Sequence, residues 1–64
     1  MIDELHRLKA RKPKDVIRFI DNKYPKLKGV CFYDSKKRCL CSVSESVDFY
    51  FDPIHNVLHV KEVQ

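Results

Sequence analysis

Val47–Val63 reads VDFYFDPIHNVLHVKEV, two runs of alternating apolar and polar residues around Asp52-Pro53-Ile54-His55-Asn56. Pro at the second turn position presets φ, and Asp and Asn tolerate turn geometry, so the stretch predicts a β-hairpin with a four-residue loop from Pro53 to Asn56. That loop sets the register: Phe51 opposes Leu58, Tyr50 opposes His59, Phe49 opposes Val60, Asp48 opposes Lys61 and Val47 opposes Glu62. Opposed residues share a face. Val47, Phe49, Phe51, Leu58 and Val60 therefore form a core side, with Asp48, Tyr50, His59 and Lys61 on the other. A one-residue slip would set Val47 against Lys61 and mix the two faces.

Upstream, Val30–Tyr33 and Arg38–Val43 flank Asp34-Ser35-Lys36-Lys37 and read as a second hairpin. Pairing Tyr33 with Arg38 places Val30, Phe32, Cys39, Cys41 and Val43 on the core side, leaving Cys31, Tyr33, Arg38, Leu40 and Ser42 outward. Ser44-Glu45-Ser46 turns into the Val47 hairpin, which makes a four-stranded antiparallel meander.

Before the strands, Lys12-Pro13 and Tyr24-Pro25 bracket one main helix. The residue before proline is steered away from helical geometry, and Pro13 suits the first helical position. Val16, Ile17, Phe19, Ile20 and Tyr24 fall within an arc of about 160°, with Lys14, Asp15, Arg18, Asp21 and Asn22 opposite. Ile2, Leu5 and Leu8, spaced by three, predict a short preceding helix over residues 2–10. Lys26–Gly29 reads as a connector. The expected architecture is α+β: one main N-terminal helix, plus the short helix before it, packed on a four-stranded antiparallel β-meander. Residues 1–64 read as one small domain.

A chain of 64 residues buries only about 60% of its unfolded surface, so little stability is in reserve. Three cysteines, an odd number, and the charged Asp3 and Glu4 close behind Met1 read as a reducing, cytoplasmic setting. No run approaches the ~20 apolar residues of a membrane span, so no membrane contact is expected. The charge is uneven. Residues 1–28 hold nine Lys and Arg against four acids, a net of +5, and residues 29–64 hold four against five, a net of −1.

Cys31, Cys39, Cys41, His55 and His59 invite a zinc reading, but C-x7-C-x-C followed by a distant H-x3-H is unlike paired tetrahedral ligands. The expected faces also separate these side chains. No metal and no cofactor are expected, and Cys39 and Cys41 read as small core hydrophobes. Catalysis has little to work with. A single glycine builds no phosphate-cradling loop, and Asp48 and Asp52 on one strand stand about 13 Å apart, too far to act as a pair.

What remains is an outward sheet face richer in aromatic and apolar residues than solvent requires. The favoured reading is a small non-enzymatic binding or regulatory protein of inhibitor or adaptor type. It docks on a larger cellular or host protein partner through that face or a strand edge, using Tyr33, Arg38, Leu40, Tyr50 and His59. The same face offers a second use, self-association into a homodimer. The alternative is nucleic-acid binding through Arg7, Lys9, Arg11, Lys12 and Lys14, five cations in eight positions. A third reading, a small basic nuclease or toxin, draws on His55, His59 and Arg38.

Overall fold

The computed structural model describes residues 1–9 and 12–63. Strand β1 (Ile2–Arg7) comes first, then helix α1 (Pro13–Lys23) and a 3₁₀ turn (Pro25–Leu27). Four strands follow: β2 (Cys31–Asp34), β3 (Cys39–Ser42), β4 (Val47–Asp52) and β5 (Val57–Glu62). The fold is α+β, with one three-stranded antiparallel sheet in the order β1-β5-β4 and a separate β2-β3 hairpin.

The β4–β5 hairpin has the register its alternation predicts, from Val47 opposite Glu62 to Phe51 opposite Leu58. Its loop is held by the Asp52 carboxylate, whose Oδ1 accepts from the Ile54 and His55 amides at 2.9 and 3.4 Å. Asn56 closes the loop with φ of 54°, in the left-handed region that Asn tolerates better than most residues. Helix α1 is also as expected. Lys12 is extended at the N-cap, Pro13 opens the first turn, and Val16 and Ile20 are fully buried.

The N-terminal segment is a strand, not the expected short helix. It pairs along β5 from Ile2 opposite Glu62 to Arg7 opposite Val57. So short a helix is marginal in isolation, whereas β5 otherwise leaves a full edge of unpaired amides and carbonyls for the segment to satisfy. Ile2 and Leu8 pack on the core. Leu5, which suggested the three-residue spacing, lies on the opposite face and is 69% exposed. β5 thereby becomes the central strand.

The second hairpin is displaced by one residue along each strand. Asp34 opposes Cys39, Tyr33 opposes Leu40 and Phe32 opposes Cys41, closing a loop over residues 35–38. This loop repeats the other: Asp34 Oδ1 accepts from the Lys36 and Lys37 amides at 2.9 and 3.2 Å, and Arg38 ends it with φ of 55°. The buried side is also the reverse of the one expected. Cys31 is buried and Leu40 packs on the core, while Phe32 (41%) and Val43 (68%) are exposed, as is Cys39, and Cys41 is half-buried. α1 packs closely against β2, and a small thiol beneath it leaves room that Phe32 would not.

The meander is also interrupted. β3 runs beside β4 with Cα atoms within 8 Å, yet no ladder joins them. The core consists of Val16 and Ile20 from α1 with Leu27, Cys31, Val47, Phe49, Leu58 and Val60. Leu27, in the segment read as a connector, is a core residue that the sequence pattern did not mark. Among the described residues no helix is long and apolar enough to cross a membrane.

Candidate functional site

Where β3 and β4 run side by side unbonded, a cleft of about 480 Å³ opens. One wall carries Tyr33, Arg38, Cys39 and Leu40. The other carries Phe49, Tyr50, Phe51 and Pro53, and Pro13 and Val16 of α1 line it too. Its size is that of a ligand-binding cleft, and its lining is mainly apolar with a few polar groups.

Backbone hydrogen bonding explains why these edges remain available. The Val63 amide donates to Ser46 O at 2.7 Å, and an antiparallel ladder alternates bonded and non-bonded pairs. Asp48, Tyr50 and Asp52 therefore bond toward β5, and the amides and carbonyls of Phe49 and Phe51 point toward β3. Likewise the Val43 amide donates to Val30 O at 3.0 Å, so the peptide groups of Leu40 and Ser42 turn toward β4. Leu40, Phe49 and Phe51, three of these residues, line the cleft.

Four of the five residues expected to bind a partner thus meet in one place, though on facing walls and not on one flat surface. Tyr33 and Leu40 belong to the hairpin's inner side, Arg38 closes its loop, and Tyr50, 68% exposed, lies on the far face of the three-stranded sheet. His59 is separate. It opposes Tyr50 in a shallow depression shared with Asp48, Phe49 and Lys61, and its Nε2 lies 2.5 Å from Asp3 Oδ1. That hydrogen bond holds the Asp3 carboxyl below the usual carboxylate range. In the same way the His55 ring, 2.8 Å from Asp52 Oδ2, holds Asp52 low. Both histidines are thus engaged by aspartates, and the cleft holds Arg38 without either of them.

Among the described residues no helix covers the far face. β1 widens it instead, adding Asp3, Leu5 and Arg7 beside Lys61, His59 and Val57. Of the basic segment, Arg7, Lys9, Lys12 and Lys14 are exposed, and none joins an ion pair among the described residues. Arg11 lies outside the described residues. No three His, Cys, Asp or Glu side chains are grouped to hold a metal ion among the described residues.

No protein-family model, curated protein or solved structure matches the chain.

A polar cluster that the sequence pattern did not mark sits where β1 meets the end of α1. His6 Nε2 lies 2.5 Å from the Tyr24 hydroxyl, which donates to Glu4 Oε1. The His6 ring stands edge-on to Phe19 at 5.1 Å. Burial, and then the Glu4 carboxylate, push the Tyr24 hydroxyl above the ordinary tyrosine range.

Proposed function

We propose that the chain is a small non-enzymatic binding protein, a regulator of inhibitor or adaptor type. In this reading it takes an extended, apolar and acidic segment of a larger protein partner into the cleft between β3 and β4. The observation that carries the reading is the juxtaposition of Tyr33, Arg38, Leu40 and Tyr50 around one apolar cleft. Tyrosine and arginine anchors dominate the energetics of many protein contacts. The peptide groups of Leu40, Phe49 and Phe51 along the cleft offer hydrogen-bond partners to a bound segment.

Charge sets the chemistry of the occupant. Arg38 lines the cleft, and among the described residues no carboxylate does. The nearby Asp34 and Asp52 carboxylates are turned back onto their own loops. Acidic side chains in the partner segment complement this arrangement.

Selection from a displayed library of random peptides, followed by titration of the enriched peptide, tests the reading. Enrichment of apolar peptides bearing Asp or Glu is expected, with affinity falling at least about tenfold in Tyr33→Ala and in Tyr50→Ala, a loss of about 1.4 kcal/mol each. Leu5→Ala, on β1 and outside the cleft, leaves it unchanged. Selection of no peptide, or affinity in both tyrosine variants unchanged from that of the parent chain, overturns the proposal. Concentration-dependent doubling of mass without peptide would instead point to self-association.

Arg7, Lys9, Lys12 and Lys14, exposed and without an ion pair among the described residues, favour a second reading, contact with nucleic acid. Neutralising three phosphates of duplex DNA gives a slope of about −2.7 in log K against log salt. Absence of binding to generic DNA and RNA at low salt removes it. Loss of the nucleic acid during that titration, abolished by changing His59, would mark a nuclease.

A further inference from the structure

The two thiols expected in the core stand together outside it, Cys39 exposed at the rim of the cleft and Cys41 half-buried. Cys39 and Cys41 are both free, and their Sγ atoms are 3.9 Å apart. Side chains two apart on a strand share a face, and here that is the outer face of the β2-β3 hairpin, beside exposed Phe32 and Val43.

The separation decides what such a pair suits. A disulfide requires about 2.05 Å between sulfurs, so oxidation would have to draw the strand together. Two thiolates bound at about 2.3 Å to one tetrahedral zinc lie about 3.8 Å from each other. The present spacing matches that edge without backbone movement. Asp34 opposes Cys39 across the ladder and therefore shares its face. The Lys36 and Lys37 amides hold its Oδ1 at the loop.

We propose that Cys39 and Cys41 form a chelating dithiolate for a thiophilic d10 cation of the zinc(II) or copper(I) class, which thiolate ligands favour. Binding forms two metal–sulfur bonds and releases both S–H protons to solvent, with no change of oxidation state. The remaining coordination positions stay open to solvent or to an external donor. Cys31 takes no part: it is buried in the core, and burial, then Asp21 and Cys41, push its thiol up to about 12.

Alkylation of the folded, reduced protein with iodoacetamide tests the site, read by peptide mass mapping with and without one equivalent of zinc(II). Without metal, Cys39 and Cys41 react and Cys31 is spared. Zinc slows both reactions at least tenfold. Titration with cobalt(II) is expected to give a thiolate-to-metal charge-transfer band that disappears in Cys39→Ser and in Cys41→Ser, whose fold is checked by circular dichroism. Unchanged alkylation in zinc, or a full cobalt band in either serine variant, overturns the proposal.

Discussion

The Tyr24 hydroxyl ties the end of α1 to β1, standing 2.5 Å from His6 Nε2 while donating its proton to Glu4. A hydroxyl has one proton to give, so His6 Nε2–H is the donor that completes the chain. Tyr24→Phe leaves Glu4 and His6 without this partner and should lower stability by about 1–2 kcal/mol. Urea unfolding at neutral pH should show a reduced midpoint with an unchanged slope.

The same tyrosine makes stability sensitive to base. Tyr24 and Cys31 both have folded-state pKa values raised above their ordinary ones. Their contribution is full below the ordinary values of about 8.5 for a thiol and 10 for a tyrosine, and it is lost as pH rises toward Cys31's folded value of about 12. Denaturation midpoints should fall between pH 8 and pH 11, and less steeply in Tyr24→Phe. At the acid end the sign reverses. Asp3 and Asp52 are held low by His59 and His55, so their contribution is present above the ordinary aspartate value of about 3.9 and disappears as pH falls through the lowered folded values.

Two phenylalanines test which side of the second hairpin is buried. Phe49 is a core residue, and Phe49→Ala should cost about 3–5 kcal/mol. Phe32 is exposed on the outer side, and Phe32→Ala should cost about 1 kcal/mol or less. Similar losses from both, measured by chemical denaturation, would place Phe32 inside.

Amide hydrogen exchange distinguishes strand from helix at the N-terminus. The Leu8 amide donates to Asn56 O at 2.7 Å, and the alternation of the β1–β5 ladder then turns Glu4 and His6 toward β5, with Asp3, Leu5 and Arg7 turned to solvent. Slow exchange is expected at Glu4, His6 and Leu8, and fast exchange at the residues between them. Continuous protection over residues 5–8 would indicate a helix instead.

The features legible in the sequence were those carried by local chemistry. Pro53 and an uninterrupted alternation specified the β4–β5 register, and two X-Pro steps specified α1. β1 was hidden by Leu5, whose out-of-step position imitates a helical spacing that its partner strand overrides. The second hairpin has two faces of similar polarity, so its buried side depends on how close α1 comes, which no strand pattern encodes. For the same reason Cys39 and Cys41 lie on the side opposite to the one their alternation suggests. Tyr33, Leu40 and Tyr50 could be chosen as exposed aromatic or apolar residues, but the cleft that gathers them exists because β3 and β4 adjoin without bonding. That is a relation between elements, not a property of either stretch.

Arg38 occupies a left-handed turn position, φ 55°, that strains an L-residue by roughly 1–2 kcal/mol and that glycine adopts freely. Glycine also has more freedom to lose on folding, so Arg38→Gly should leave the chain tougher by about 0.5–1 kcal/mol. It would also strip the cleft of its guanidinium. Under the proposed function, sturdiness and recognition pull against each other at this one position: a variant optimised only to resist unfolding would drift toward a well-built molecule without the cleft's cation.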